Sequence, residues 1–132
     1  MGVSTYSGCT ACCGGGGGGG VDLCSCTGTP ETLTASISGM GCCLDGVSVT
    51  LTWDAGNSWW YGTNSAAGCA SGDITLKLYC SGGVWALDGT HFCINSFSGA
   101  GLTGSCLPLT YAGLTDSGFC GCGSGGILTI TA

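Results

Sequence analysis

The chain has 132 residues, among them 13 cysteines, 29 glycines, seven acidic side chains and a single strong base, Lys77, for a net charge of −6. With 6% charged residues and a mean hydropathy of +0.48 it does not match a disordered chain, which combines low hydrophobicity with high net charge; at this length one domain burying roughly 68% of its unfolded surface is the default. Gly, Ser, Thr or Asp breaks every apolar run short of the ~18 residues a membrane-spanning helix needs, and one base cannot supply the clustered cations that nucleic-acid phosphates require.

Residues 1–29 read as an extended Cys/Gly-rich arm ahead of a β-domain over 30–132. The arm holds Cys9, Cys12, Cys13, Cys24 and Cys26 around seven consecutive glycines: Gly14, Gly15, Gly16, Gly17, Gly18, Gly19 and Gly20. Such a run alone is a flexible linker. Flanking disulfides, or neighbouring copies in an assembly, are expected to tie it down, and its bare backbone suits close packing against another chain. The run is not a phosphate loop, because no lysine or helix follows it. The first nine residues have no basic stretch, apolar core or small-residue cleavage site of a secretory leader. That conflicts with the cysteine content unless a leader was removed, the cysteines hold metal, or the protein leaves the cell by lysis and oxidises afterwards.

From residue 31 apolar and hydroxyl residues alternate. Leu33, Ala35 and Ile37 share one face of the first strand, and Val47, Val49, Leu51 and Trp53 one face of the second. Asp54-Ala-Gly-Asn57 turns the chain into Ser58–Thr63, predicting a hairpin. Ile74, Leu76, Leu78 and Cys80 share the inner face of the next strand, with Cys80 expected to staple the core. Ser81-Gly-Gly83 then turns the chain into Val84–Asp88. Further strands are expected over His91–Ser96, Cys106–Tyr111, where Pro108 implies an edge or a bulge, and Ile127–Thr131. Seven or eight short strands with glycine-rich turns and no helical period predict an all-β, disulfide-rich antiparallel sandwich or barrel.

About a tenth of the chain is cysteine, the composition of a disulfide scaffold in an oxidising medium. Beyond the five in the arm, Cys42, Cys43, Cys69, Cys80, Cys93, Cys106, Cys120 and Cys122 are candidates. Connectivity is not readable from spacing. The adjacent pairs Cys12-Cys13 and Cys42-Cys43 each favour separate partners, since neighbouring Cα atoms lie ~3.8 Å apart and a bridge prefers ~5.5 Å. The odd count implies a free or intermolecular thiol. Zinc on Cys9, Cys12, Cys13, Cys24 and Cys26 is the rival use, although only one C-x₂-C spacing occurs there. No metal or other cofactor is expected.

Catalysis is disfavoured. A thiol with His91 is conceivable on inventory, but nothing in the sequence sets them side by side, and paired carboxylates for glycoside cleavage meet the same objection. Asp45-Gly46, Asp54 and Asp88-Gly89 are placed as turn residues. In Trp59-Trp60 the two side chains must point to opposite faces of a strand, so one of them is exposed or at an interface, where an indole anchors a protein contact or stacks on a sugar. Lys77, the sole tryptic site, lies mid-strand, and a surface of Ser, Thr and Gly with one lysine and two prolines leaves sheet edges unprotected by charge. Covering by the arm or by neighbouring subunits is therefore expected.

The segments Thr32-Leu-Thr-Ala35, Cys42-Cys-Leu-Asp-Gly-Val-Ser-Val-Thr-Leu-Thr-Trp-Asp54, Ile74-Thr-Leu-Lys-Leu-Tyr-Cys80 and Gly126-Ile-Leu-Thr-Ile-Thr131 resemble cysteine- and threonine-rich β-proteins of planctomycetes and of tailed phages of uncultured bacteria, over about residues 30–132. The resemblance implies a small β-module displayed outside a cell or on a virion, with no activity to carry over. The first expectation is accordingly a virion surface component, either a capsid decoration (cement) protein or a tail or fibre protein. Its partners would be further copies of itself or a major capsid or tail protein, with Gly14–Gly20, Trp59 and Trp60 as assembly contacts and no membrane or nucleic acid. A secreted adhesion or glycan-binding module using Trp59 or Trp60, and a subunit of an extracellular filament, are the alternatives.

Overall fold

The computed structural model describes residue 24 and residues 28–65, 73–123 and 125–132. They form eight antiparallel strands and no helix: β1 (Thr32–Ser38), β2 (Ser48–Asp54), β3 (Trp59–Ser65), β4 (Asp73–Ser81), β5 (Val84–His91), β6 (Ile94–Gly101), β7 (Leu109–Leu114) and β8 (Gly126–Thr131). The all-β antiparallel architecture expected from the alternation is therefore present. In the sheet the strands run β6-β5-β4-β3-β2-β1-β8-β7. Each is next to its sequence neighbours, except that β8 returns to pair with β1 and leaves β7 facing β6.

That arrangement nearly closes a barrel. Across the β6–β7 seam Thr103 and Thr110 exchange backbone hydrogen bonds of 2.8 and 3.1 Å, and the Asn95 amide donates to the Thr115 carbonyl at 3.0 Å. The Asn95 side chain adds bonds to Thr115 Oγ1 and to the Asp116 carbonyl, and the Phe97 and Tyr111 rings meet at 4.7 Å. The two sheet edges therefore cover each other. Edge protection, expected above from the arm or from neighbouring subunits, comes largely from closure within the chain, the one arrangement that removes edges outright.

Period-two alternation fills the interior. Leu33, Ala35 and Ile37 from β1 face inward beside Val49 and Leu51 from β2, Ile74, Leu76 and Leu78 from β4, Leu87 from β5, and Leu128 and Ile130 from β8, all buried. An eight-stranded barrel is just wide enough for side chains to fill. Trp60 is packed inside with no exposed surface, its ring 4.6 Å from Trp53 and 5.8 Å from Trp85. Both indole tips are satisfied: the N–H of Trp60 donates to the Pro30 carbonyl at 2.9 Å, and that of Trp85 to the Ser105 carbonyl at 2.8 Å.

The predicted turns at Asp54–Asn57 and Gly82–Gly83 are present. The Asp54 carboxylate accepts from the Gly56 N–H and the Asn57 side chain. Gly82 and Gly83 both have positive φ, 60° and 85°, as a tight two-residue hairpin loop requires. Three strand expectations change. His91 ends β5 and β6 begins at Ile94, so His91–Ser96 spans a turn. β7 starts at Leu109, after Pro108, whose missing N–H cannot join a ladder. Asp88-Gly89 is no turn but the middle of β5. A Cβ at Gly89 would overlap the Phe97 ring and touch Leu76, so the glycine there makes room for an aromatic ring rather than for a bend.

Disulfides tie the ends of the barrel. Cys24 is bonded to Cys106, Cys42 to Cys122 and Cys93 to Cys120, with sequence separations of 82, 80 and 27 residues. Cys42–Cys122 anchors the β1–β2 loop, whose Met40 and Leu44 plug one end of the barrel, to the segment leading into β8. Cys43 and Cys80 are also disulfide-bonded, and none of the described cysteines is free. Cys80 is in phase with the inner face, as its spacing implies, but it sits at the rim and is exposed, so it does not staple the core. Cys9, Cys12, Cys13, Cys26, Cys69 and the run Gly14–Gly20 lie outside the described residues.

The two adjacent tryptophans should respond oppositely to truncation. Trp60→Ala opens a cavity in the barrel interior and is expected to cost about 3–5 kcal/mol, whereas Trp59→Ala on the outer face costs about 1 kcal/mol or less. Urea unfolding of the two variants followed by circular dichroism measures the difference.

Candidate functional site

Residues out of phase with the core gather on the outer face of β3, β4 and β5. Trp59 and Tyr61 project from β3, Thr75, Lys77 and Tyr79 from β4, and Asp88 and Thr90 from β5, because successive side chains of a strand alternate between faces. Register aligns them in rows. Tyr61 pairs with Lys77 and Lys77 with Asp88; in the next row Thr63 pairs with Thr75 and Thr75 with Thr90. Together Trp59, Tyr61, Thr75, Lys77, Asp88, Gly89 and Thr90 line a depression of about 230 Å³.

Asp88 organises this surface. Its Oδ1 accepts the Gly99 N–H at 2.7 Å and the Tyr79 hydroxyl at 2.8 Å. Its Oδ2 lies 3.4 Å from Lys77 Nζ. The Lys77 ammonium sits 4.0 Å from the centre of the Trp59 ring and 5.6 Å from that of Tyr79, positions in which the negative face of each ring attracts it. Partial burial is the largest single influence on Asp88 and pushes its pKa up. The Gly99 N–H, the Tyr79 hydroxyl and Lys77 together outweigh it, so the carboxyl is held below its ordinary value. The hydrogen bond to Asp88, followed by burial and the carboxylate's charge, pushes the Tyr79 hydroxyl above its ordinary value.

Of the two tryptophans named as contact candidates, Trp59 lies on this face and Trp60 does not. Trp60 is wholly buried, so its ring is closed to any partner of the folded barrel. His91 is also buried. Its Nδ1 accepts the Cys93 N–H at 3.0 Å, while its Nε2 has no hydrogen-bond partner among the described residues. The sulfur of its neighbour Cys93 is already in a disulfide, so no thiol is available there for His91 to activate. Cys24, offered above as a zinc ligand, is bonded to Cys106 instead.

Sequence reasoning missed the pairing of Lys77 with Asp88. Asp88 precedes a glycine and resembles a turn residue, whereas the signal that finds the pair is symmetry: Lys77 stands five positions before Gly82 and Asp88 five after Gly83. A two-residue turn at those glycines sets them opposite each other. Comparison with protein-family models, with curated proteins and with solved structures finds no match.

The two shifted groups give a pH signature. Asp88, with its folded pKa lowered, contributes stability that is full above its ordinary value of 3.8 and is lost as pH falls through the folded value. Tyr79, with its folded pKa raised, contributes stability that is full below its ordinary value of 10.0 and is lost as pH rises through the folded value. Asp88→Asn should flatten the acid limb of a plot of stability against pH, and Tyr79→Phe the alkaline limb. Each should cost about 1 kcal/mol at neutral pH, as read by urea titrations across the pH range.

Proposed function

We propose that this chain is a non-enzymatic structural protein of an extracellular assembly, a component of a phage virion surface that acts as a capsid decoration (cement) protein or as part of a tail or fibre. The observation that carries this proposal is the disulfide framework: every described cysteine is oxidised, and two bridges span 80 residues or more. Bridges closing loops of that length restrict the unfolded chain by several kcal/mol each in the chain-entropy account. Such bridges form and persist in oxidising environments and are rare in the cytosol.

Two further features support it. The barrel interior is filled by side chains, as in a scaffold rather than a carrier. The exterior is built from Thr, Ser and Gly, with one lysine that lies mid-strand, partly buried and paired with Asp88. Such a surface offers little to trypsin-like proteases. The non-catalytic assignment is supported by the placement of His91, the sole histidine, against a backbone amide and a disulfide. Partners under this proposal are other copies of the chain or a major capsid or tail protein, engaged through faces and rims, since the sheet edges are largely closed.

Density-gradient fractionation of native source material, probed for this chain under non-reducing conditions, tests the proposal. Co-migration with DNA-containing particles is the expected result. Recovery as a small soluble species, or with the cell envelope, would contradict it.

A further inference from the structure

We propose that the outer face of β3–β5 is a saccharide-binding site, which takes one pyranose ring of a neutral oligosaccharide in the depression between Tyr61, Trp59, Lys77 and Asp88. This goes beyond the structural role above and holds on a virion or on a free secreted module.

Four observations carry it. Trp59 and Tyr61 stand two residues apart on one strand, roughly 7 Å along it. Tyr61 is 47% exposed, so the barrel leaves a large aromatic surface in water. The C–H face of a sugar ring carries a slight positive charge and suits the negative face of the Tyr61 ring, while one face of Trp59 already holds the Lys77 ammonium and leaves its edge to wall the depression. Next to them are a fixed acceptor and a fixed donor. Asp88 is oriented by Gly99 and Tyr79 through Oδ1 and keeps acceptor capacity on Oδ2. Lys77 uses one contact with Asp88 and retains N–H donors. A carboxylate beside an ammonium matches the vicinal hydroxyls of a sugar, each of which both donates and accepts.

Charge and size narrow the occupant. Lys77 is balanced by Asp88 and the chain as a whole is acidic, with net charge −6, so polyanions such as nucleic acids are repelled. The depression, about 230 Å³, is smaller than the ~300–1,000 Å³ pockets that enclose drug-sized ligands. It fits one ring of a longer chain lying across the sheet. Thr75 and Thr90, side by side in the adjacent row, extend the polar surface for the next ring.

The test is titration of the full chain with soluble maltohexaose, cellohexaose, chitohexaose and mannohexaose, followed by tryptophan fluorescence and by amide chemical shifts. At least one sugar is expected to bind with Kd in the ~0.01–1 mM range and to shift amides of β3, β4 and β5. Trp59→Ala, Tyr61→Ala and Asp88→Asn should each weaken binding about tenfold or more, with folding of each variant checked by its melting curve. Ile127→Ala, at an exposed position on β8, three strands away from β3, should leave binding unchanged. Absence of binding to all four sugars at ~10 mM would overturn the proposal, as would shifts confined to another surface, or affinity unaltered in folded Tyr61→Ala and Asp88→Asn.

Discussion

Closure of the eight-stranded sheet across β6 and β7 is the constraint on which the rest of the molecule depends. An open sheet of this composition would present two strand edges with almost no lysine or proline to guard them. Here Thr103 pairs with Thr110 and Asn95 reaches Thr115, so the two edges are joined near both ends of the seam and largely cover each other. Closure also makes the interior a cylinder, which must be filled from within. The fully buried Trp60 does so between Trp53 and Trp85, and Gly89 yields space to Phe97, whose ring also meets Tyr111 across the seam.

The disulfides act on the same closure. Cys93–Cys120 links the β5–β6 turn to the segment after β7, beside the backbone bond from the Ser117 N–H to the Cys93 carbonyl. Cys42–Cys122 pins the loop that plugs one end. A chain with so few charges gains little from surface ion pairs in any case, and these cross-links supply stability without them. On the outer face of β3–β5 the sole lysine, an acid and three aromatic rings converge.

Much of this was legible in the residues. Alternation in Leu33-Thr-Ala-Ser-Ile37 and Ile74-Thr-Leu-Lys-Leu78 marks strands with one buried face because a barrel wall has one wet side, and the Gly82–Gly83 and Asp54–Asn57 turns follow from local chemistry. What local pattern does not carry is anything set by pairing at a distance. The return of β8 to β1, and with it the closure of β6 on β7, depends on the three-dimensional path of the chain. Asp88-Gly89 misled because Asp-Gly is a turn signal wherever it occurs, and only the contact with Phe97, eight residues on, explains the glycine. Of Trp59-Trp60, alternation states that the two part company but not which goes inside; the phase of β3 against Leu78 on β4 decides that. The candidate site was hidden for the same reason, since it assembles from three strands, each contributing only two or three side chains.

The central claim is that the sheet is closed by its own edges, and amide hydrogen exchange of the native chain tests it most directly. The Thr103, Thr110, Asn95 and Ser117 amides are expected to exchange slowly, with protection approaching that of β3 and β4 amides in the middle of the sheet. Exchange of all four at the rate of exposed loop amides, while β3 and β4 stay protected, would show an open sheet and contradict the account.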